Sequence, residues 1–450
     1  MNRRCACSTP RGLIGFVGSI LIVASCMSAG APAGAPSSPV AATASSETPS
    51  PSAAAETQPP GPIGDLLVMR NGDAAGSDGY AVIEARTGQV VFTLPRGAIS
   101  GDWRTVVGLE AGAAATTVRV ADAEGGSLRR DIQVPAAWRL PTIGIARTPG
   151  GLSAGGNTLV LEEEAPTGGS AGSAQTQFAI VATDGSADPR IVTLDGSFKY
   201  DALSPNGDWL YLIERLAAGY PTQYAVRRLD VASGRLEDGS IVDKRNVDEV
   251  MSGYAVTQLT GRLGWVYTLY LGHDGAFIHA LNTNDGVAFC IDLPGTLGSD
   301  EAMAAGWGLA LSPTRDELFA ANGTLGVISD IDLSNFSVRR TSPLAVAPAI
   351  ELAKFESAEP AGGGLALSQD GATLYLLGRP GVMVVRASDL ATIGHLGGNR
   401  RYLSVAAGSG RAVYAVRDDG RAVVLGGDSE PNLVLAGDRY AGIAAVVPLR

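Results

Sequence analysis

The residues best suited to metal or nucleophilic chemistry are few in this chain of 450 residues, which has three histidines and four cysteines. His273 and His279 flank an Asp-Gly turn, and a spacing of six residues places both on the same side of a strand. A metal-binding pair is one interpretation, and a hairpin with one exposed and one packed histidine is the favoured one. His395 has no partner in the sequence. Cys290 lies inside an apolar run, which favours a core residue over a nucleophile.

Serine and glutamate patterns give weak signals. Gly-x-Ser-x-Gly, the pattern of a nucleophile elbow, occurs at 151–155 and 168–172, but chance accounts for it in a chain with 59 glycines. The run 162–164 is three glutamates, which we interpret as a solvated strand end rather than a cation site. No lysine follows a glycine, which excludes the phosphate-binding P-loop, and the zinc patterns His-Glu-x-x-His and Cys-x-x-Cys are absent from the sequence. No cofactor and no metal site is predicted.

The charge balance limits the partners. The chain has 34 basic and 45 acidic residues, a formal net charge of −11, and its only lysines are Lys199, Lys244 and Lys354. Such an acidic chain is not expected to bind nucleic acid by neutralising phosphates. Hydrophobic residues make up 45% of the sequence, enough for a large buried core.

The first residues have the features of an export signal. Arg3, Arg4 and Arg11 precede an uncharged apolar stretch at 12–25, which is too short to span a membrane. The segment ends in Val-Ala-Ser-Cys at 23–26 and resembles a bacterial lipobox. The resemblance implies cleavage after residue 25 and lipid on Cys26, which would anchor the protein to the outer leaflet of the cell membrane. The alternative is ordinary signal cleavage near Ala29 or Ala31.

Three regions follow from composition: a lipoprotein signal peptide at 1–25, a tether at 26–62 and a folded domain at 63–450. The tether consists almost entirely of Ala, Ser, Pro, Gly and Thr and has no aromatic residue. Because it offers little apolar surface to bury, we expect it to be disordered.

The sequence pattern of the folded domain is typical of a β protein. Eight Asp-Gly and three Asn-Gly pairs, which favour tight hairpin turns, separate short β-branched and aromatic runs. The best helix candidate is only 349–355, so an all-β domain is predicted.

A repeat organises these strands. Leu-Ser or a related pair starts at 152, 203, 259, 311, 367 and 406, and a large residue follows eight positions later each time: Val160, Tyr211, Tyr267, Phe319, Tyr375 and Tyr414. Each unit provides four strands, which matches a propeller blade. Together with two units before residue 150, the count is eight blades, with seven as the alternative. Tyr440–Val447 is predicted to complete the first blade and close the ring. A pair of β-sandwich domains is the other interpretation.

The repeats resemble the YVTN/YncE-like and WD40-like propeller repeats of bacterial envelope proteins. The similarity is clearest at 309–342 and 365–396, where "LALSQDGATLYLL" is typical of the pattern. The resemblance implies the fold and says almost nothing about function. The Trp-Asp dipeptides of WD40 blades are missing.

Loop lengths distinguish the two sides of the predicted ring. With the strands of a blade named a to d, the a–b and c–d turns are short and lie on one side, which we call the turn side. The b–c and d–a connections lie on the other, which we call the loop side, and they include long segments near 162–176, 216–222, 294–306 and 342–363. Long loops on a rigid scaffold often bind ligands, although they can also be unstructured. The predicted contacts are Glu351, Lys354, Phe355, Glu356, Tyr220 and Trp307.

These features predict a non-catalytic, membrane-anchored scaffold that binds a protein or an envelope polymer through its loop side. The alternative is a hydrolase or lyase related to propeller lactonases, with a metal in the central channel. That alternative needs several acidic residues on inner strands, and Asp201 is the only obvious one. A purely structural surface protein is the third interpretation.

Overall fold

The regular structure is entirely β. The computed structural model describes residues 64–71, 79–112, 114–145, 147–164, 175–216, 223–247, 250–272, 275–294, 306–344, 364–378, 381–425, 433–435 and 439–448. Every regular element in these residues is a strand. Within these ranges no helix is long and apolar enough to cross a membrane. The signal segment, the tether and the helix candidate at 349–355 lie outside the described residues.

Eight antiparallel sheets form the ring of a β-propeller, as the repeat predicts. The strands of the first four blades are as follows. Blade 1 contains β1 (Asp65–Asn71), β2 (Gly79–Glu84), β3 (Val90–Pro95) and the last strand, β35 (Tyr440–Pro448). Blade 2 contains β4 (Gly97–Ile99), β5 (Thr105–Ala111), β6 (Ala115–Asp122) and β7 (Leu128–Pro135). Blade 3 contains β8 (Trp138–Arg139), β11 (Thr158–Glu163), β12 (Gln175–Ala182) and β13 (Arg190–Asp195), and a small hairpin made of β9 (Thr142–Ile143) and β10 (Thr148–Pro149) interrupts its sequence. Blade 4 contains β14 (Phe198–Leu203), β15 (Trp209–Arg215), β16 (Gln223–Asp230) and β17 (Arg235–Leu236), with β18 (Met251–Ser252) added beside β16.

The remaining four blades follow the repeat without insertions into their sheets. Blade 5 contains β19 (Tyr254–Thr260), β20 (Trp265–Leu271), β21 (Ala276–Asn282) and β22 (Val287–Asp292). Blade 6 contains β23 (Trp307–Leu311), β24 (Glu317–Asn322), β25 (Val327–Asp332) and β26 (Ser337–Pro343). Blade 7 contains β27 (Leu365–Leu367), β28 (Thr373–Leu377), β29 (Val382–Arg386) and β30 (Thr392–Leu396). Blade 8 contains β31 (Tyr402–Ala407), β32 (Val413–Arg417), β33 (Ala422–Val424) and β34 (Leu433–Val434).

The two ends of the described chain meet in blade 1, which confirms the predicted closure. Strand β35 pairs with β1 as the innermost strand, from Val447 opposite Leu66 to Tyr440 opposite Asn71. The inner strands of the later blades contact one another in order, and β31 contacts β35. A sheet made from both termini removes the free edge that an open array would expose.

The repeated serine closes the a–b turn. Ser204 is buried, and its Oγ accepts a hydrogen bond from the backbone N–H of Trp209 at 2.9 Å. The same bond, to the N–H five residues later, recurs at Ser100, Ser153 and Ser368. The large residue at the eighth position is buried in all six units and fills the layer between neighbouring sheets.

Arginines on the outer part of the ring connect consecutive blades. Arg130 of β7 donates a hydrogen bond to the carbonyl oxygen of Asp184 in the c–d turn of blade 3. Arg190 of β13 donates to the carbonyl of Ala232 in blade 4 at 2.9 Å, and Arg340 of β26 donates to a carbonyl of blade 7. A guanidinium can serve a carboxylate and a carbonyl at once, as Arg340 does with Asp330 at 2.9 Å.

Candidate functional site

The inner strand of blade 3 is split by an insertion. Its first part, β8, pairs with the end of β11, and its last part is a single bridge between Leu152 and Leu159. Between them, residues 140–145 and 147–151 leave the sheet, and we call this segment the inserted hairpin. Pro141 and Pro149 have no N–H to donate to a sheet, which explains why the chain leaves blade 3 here.

The inserted hairpin crosses to blade 5. The backbone N–H of Ile145 donates to the carbonyl of Val256 in β19 at 3.1 Å. Gly144 has a φ of 66°, and a Cβ there would lie 2.3 Å from the Val256 oxygen, so only glycine permits this approach. The carbonyl of Pro141 accepts a hydrogen bond from Gly150 at 2.9 Å, which closes the base of the hairpin.

A cavity of about 1370 Å³, the channel cavity, lies between the inserted hairpin and blades 2 to 5. Its lining comes from the residues that begin the inner strands, such as Lys199 and Tyr254, and from the ends of the second strands, such as Ala111 and Arg215. In this topology both positions belong to the loop side of the ring. The channel cavity therefore lies on the side for which loop lengths predict binding.

Basic residues predominate in the lining. Of the described residues, six basic and three acidic ones line the channel cavity, in a chain whose net charge is −11: Arg96, Arg119, Arg139, Arg147, Lys199 and Arg215 against Glu110, Glu164 and Asp201. Arg119 and Glu110 form an ion pair at 2.9 Å, which neutralises one basic residue within the lining. Arg139 pairs with Glu162 at 2.8 Å, which neutralises a second basic residue.

Lys199 lies at the centre of this positive region. Glu162 is the nearby carboxylate, but its two oxygens accept hydrogen bonds from Arg139 at 2.8 Å and from the backbone N–H of Tyr200 at 2.9 Å. Desolvation lowers the pKa of Lys199; Glu162 opposes this shift, and the charges of Arg215 and Arg139 add to it. Lys199 and Arg215 form no ion pair within the described part of the chain.

Aromatic hydroxyls and one carboxyl form the floor of the channel cavity. The rings of Tyr224 and Tyr270 stack with centroids 5.3 Å apart. Asp201 lies at an irregularity in the pairing of β14 with β15, between Tyr200 and Ala202, and is almost fully buried. Burial raises the pKa of Asp201 to about 7, and the hydroxyl of Tyr270 lowers it in part.

The hydroxyl of Tyr224 is buried beside that of Tyr270. Its side chain is 3% exposed, and its Oη has no hydrogen bond of normal geometry with the described residues. Tyr224 lines the channel cavity. Burial raises the pKa of Tyr224, and the neighbouring Tyr270 raises it further.

His279 lies beneath this floor. It is fully buried, its ring is edge-on to Tyr270 at 6.3 Å, and neither ring nitrogen has a hydrogen-bond partner among the described residues. It faces Cys290 across β21 and β22. Burial lowers the pKa of His279 to about 4, with partial opposition from the carboxylate of Asp243.

We expect His279 to make the fold sensitive to acid. In the unfolded chain its pKa is about 6.5, so between about pH 6.5 and pH 4 the unfolded state binds the proton and the folded state does not. The free energy of unfolding then falls as the pH falls, by about 3 kcal/mol in total. His279→Phe removes this titration, so in urea unfolding its stability relative to the parent chain should rise by that amount from pH 7 to pH 4.

His395→Gln is the control because His395 is exposed at the surface of β30. Its stability relative to the parent chain should not change over the same pH range. A His279→Phe variant with the acid sensitivity of the parent chain would show that His279 already binds a proton in the folded state.

Most predicted contact residues lie outside the described residues: Cys26, Tyr220, Glu351, Lys354, Phe355 and Glu356. Trp307 is described; it begins β23, is 6% exposed and packs in a hydrophobic cluster with Leu271 and Leu318. It offers little surface to a partner, and its role in binding stays a prediction. His273 and the serine pattern at 168–172 also lie outside the described residues.

Other weak sequence signals have structural explanations. Ser153, in the pattern at 151–155, is fully buried, and its hydroxyl bonds to Asn157 at 2.7 Å within an a–b turn. Glu162 is a buried partner of Arg139, whereas Glu163 and Glu164 are exposed. In the described ranges no three His, Cys, Asp or Glu side chains come close enough to hold a metal ion.

Sequence reasoning did not identify Lys199, Arg215, Tyr224 and Tyr270 as a group. One signal was present: Lys199 is one of three lysines and precedes Tyr200 and Asp201 at the start of an inner strand. The arrangement itself depends on the curvature of the ring, which brings three residues of blade 4 beside Tyr270 of blade 5.

Comparisons with known proteins add little beyond the fold. No known protein family matches the chain, and no curated protein matches it. Among solved structures, the chain is similar to the dihydro-heme d1 dehydrogenase NirN in complex with DHE, with 11% identity, 86% of this chain and 75% of that chain covered, and a TM-score of 0.48. It is also similar to apo AztD from Citrobacter koseri, with 10% identity, 73% and 93% covered, and a TM-score of 0.37. A third is the Cps50 (Swd1) β-propeller domain of Myceliophteria thermophila, with 10% identity, 73% and 94% covered, and a TM-score of 0.39.

Proposed function

We propose that this protein is an exported, non-catalytic β-propeller that is anchored to the outer leaflet of the cell membrane and binds a protein or an envelope polymer through its loop side. The basic, apolar and Val-Ala-Ser-Cys segments at the start of the sequence support export and a lipid on Cys26. The tether at 26–62 would hold the propeller away from the membrane. The repeats support a place among the YVTN/YncE-like envelope proteins.

The channel cavity is the observation that carries the binding proposal. Its volume of about 1370 Å³ exceeds that of an ordinary small-molecule pocket, about 300–1,000 Å³, so it has room for a chain end or a side group of a larger partner. Residues of four blades and of the inserted hairpin line it, so strands of the scaffold as well as connections form its wall.

The side chains in the lining support binding rather than catalysis. Asp201 is the only carboxylate that an inner strand contributes to the described lining, and the other charged residues of that lining are six basic and two acidic ones. A metal-dependent lactonase-like site would need several converging carboxylates, and arginine and lysine do not ligate a divalent cation. Hydrolysis by such a metal site is therefore the weaker proposal.

Photo-crosslinking in intact cells tests the proposed function. A photoreactive amino acid at Glu164, an exposed residue of the channel cavity, should capture the partner from the cell envelope. The same amino acid at Leu263, exposed at 83% in an a–b turn, is the matched control on the turn side and should capture nothing specific. Capture at Leu263 and not at Glu164, or at neither position, would contradict binding through the loop side.

The variant Cys26→Ser separates anchoring from binding in the same cells. Without the cysteine, the chain should leave the membrane fraction, while purified envelope material should still crosslink at Glu164. A Cys26→Ser chain that stays with the membrane as the parent does would contradict the lipid anchor.

A further inference from the structure

We infer that the channel cavity binds the oxyanion group of an organic ligand, a carboxylate or a phosphate, through Lys199 and Arg215. The inference rests on the proposed function, because it assumes that the loop side binds a ligand. It adds the chemical class of the group that enters.

The geometry of blade 4 places the two side chains together. Lys199 pairs with Ile213 across β14 and β15, so both point to the same face of the sheet. Arg215 follows Ile213 by two residues and therefore points to that face as well. Its backbone N–H donates to the carbonyl of Ser197 at 2.9 Å, which extends the pairing to the end of the blade. All three residues line the channel cavity.

The positive charge at this point is not neutralised by the described protein. Glu162 has committed both oxygens to Arg139 and to the N–H of Tyr200. One carboxylate therefore stands near the three cations Lys199, Arg139 and Arg215. An oxyanion near Lys199 and Arg215 would form charge-assisted hydrogen bonds, which are stronger than those between neutral groups.

The aromatic part of the floor gives the ligand a second contact. The stacked Tyr224 and Tyr270 rings lie in the wall of the channel cavity. Both side chains are 3% exposed, so what they give the wall is an uncharged aromatic surface beside the body of an organic molecule. A bare inorganic ion would leave most of the volume of about 1370 Å³ unused.

The overall charge of the protein favours a compact anion over a polyanion. With a net charge of −11, the protein repels an extended chain of phosphates, whereas a single anionic group meets only the local positive region. Because the protein as a whole is negative and the region around Lys199 is positive, we expect the channel cavity to prefer a ligand with one oxyanion on a larger neutral body.

A set of three related sugars tests the inference on the full-length chain in detergent. Glucose is the neutral probe, glucuronate carries a carboxylate at C6 of the same ring, and glucose 6-phosphate carries a phosphate at that position. Isothermal titration calorimetry at constant ionic strength should show that at least one charged sugar binds about tenfold or more tightly than glucose, because charge-assisted bonds are worth at least that factor. The comparison of the two charged sugars shows which oxyanion is preferred.

Two variants locate the binding group. Lys199→Gln and Arg215→Gln should each weaken binding of the preferred charged sugar by about tenfold and leave the melting temperature unchanged, because both side chains are exposed. Arg386→Gln is the matched control, since Arg386 pairs with Asp389 at 2.7 Å on blade 7, outside the lining, and it should bind like the parent chain.

The outcomes separate this inference from the proposed function. If glucose binds as tightly as the charged sugars, if no probe binds, or if both glutamine variants bind like the parent chain, the oxyanion inference is wrong. Crosslinking at Glu164 would persist in those cases if the loop side still binds a partner. Loss of both the sugar binding and the crosslinks would overturn the proposed function as well.

Discussion

Asp65→Ala is expected to lower the free energy of unfolding by about 3–5 kcal/mol, which would be the largest effect of any single substitution considered for this protein. Asp65 is the first residue of β1 and is fully buried. Its carboxylate accepts hydrogen bonds from the N–H of Ser409 at 2.8 Å and the hydroxyl of Ser409 at 2.5 Å. It also accepts one from the hydroxyl of Tyr414 at 2.9 Å.

These bonds join the start of the described chain to blade 8, next to the strand that closes the ring. Alanine removes the acceptor and leaves the half-buried Ser409 N–H and the fully buried Tyr414 hydroxyl without a partner, and an unsatisfied buried group costs about 1–3 kcal/mol. Urea unfolding of the full chain gives the measurement. The loss should be accompanied by faster proteolysis near the termini, because the ring opens where its two ends meet.

Two further variants show whether the loss of unfolding free energy comes from the buried hydrogen-bond acceptor or would follow the removal of any aspartate. Tyr414→Phe removes one of the three bonds and should cost about 1–2 kcal/mol. Asp370→Ala removes an exposed aspartate that bonds to Ser368 and Ala372 within an a–b turn, and it should cost about 1 kcal/mol or less. An Asp65→Ala chain as stable as the Asp370→Ala chain would contradict this account of ring closure.

The succession of blades could be predicted because each unit repeats the same interactions within one hairpin. A serine that closes the a–b turn and a large residue eight positions after the start of the pattern are requirements of one hairpin, so they are visible in the sequence. The copy in blade 2 was missed because Ser100 follows isoleucine rather than leucine, although it makes the same bond to Thr105. Ring closure by β35 could also be predicted, since the first unit lacked an inner strand.

The channel cavity could not be predicted in the same way. Leu152 and Ser153 look like an ordinary blade start, but Leu152 makes only a single bridge to β11, and the inserted hairpin precedes it. Its contact with Val256 joins segments more than a hundred residues apart in sequence, and nothing local to either segment encodes the other. The same holds for Lys199 and Tyr270, which come from different blades and meet only after the ring has formed.

The role of the many arginines could not be predicted from the sequence and is visible only in the structure. From the sequence it was visible only that lysines are rare. Arg130, Arg190 and Arg340 each reach a backbone carbonyl in the next blade. A lysine ammonium is a compact, strongly hydrated charge and cannot place several donors at fixed angles, so it is a poor substitute at such a junction.

Asp201→Asn is expected to stabilise the protein at high pH, with a gain of up to about 4 kcal/mol near pH 8 and almost none near pH 4. Burial raises the pKa of Asp201 to about 7, whereas the unfolded chain has a value of about 3.9. Between these two values the folded state binds the proton and the unfolded state does not. The free energy of unfolding therefore decreases as the pH rises through this range, and the full loss is reached above about pH 7.

Asparagine keeps the shape of the side chain and does not titrate, so the difference between the two chains isolates this effect. The backbone carbonyl of residue 201 keeps its hydrogen bond from Gln258, at 3.1 Å in the parent chain. Urea unfolding from pH 4 to pH 8 should show the difference growing steadily in favour of the variant. His279 titrates in the opposite direction in both chains and cancels from the comparison.

Tyr270→Phe identifies the neighbour that controls this titration. The hydroxyl of Tyr270 lowers the pKa of Asp201, so its removal should move the loss of stability to higher pH. The variant should also leave the binding of charged sugars largely intact if Lys199 and Arg215 hold the oxyanion, because its ring remains in the floor.

A pH profile that is the same in the parent and Asp201→Asn chains would mean that Asp201 is ionised at neutral pH. The floor of the channel cavity would then be negative, and an oxyanion would have to bind close to the rim.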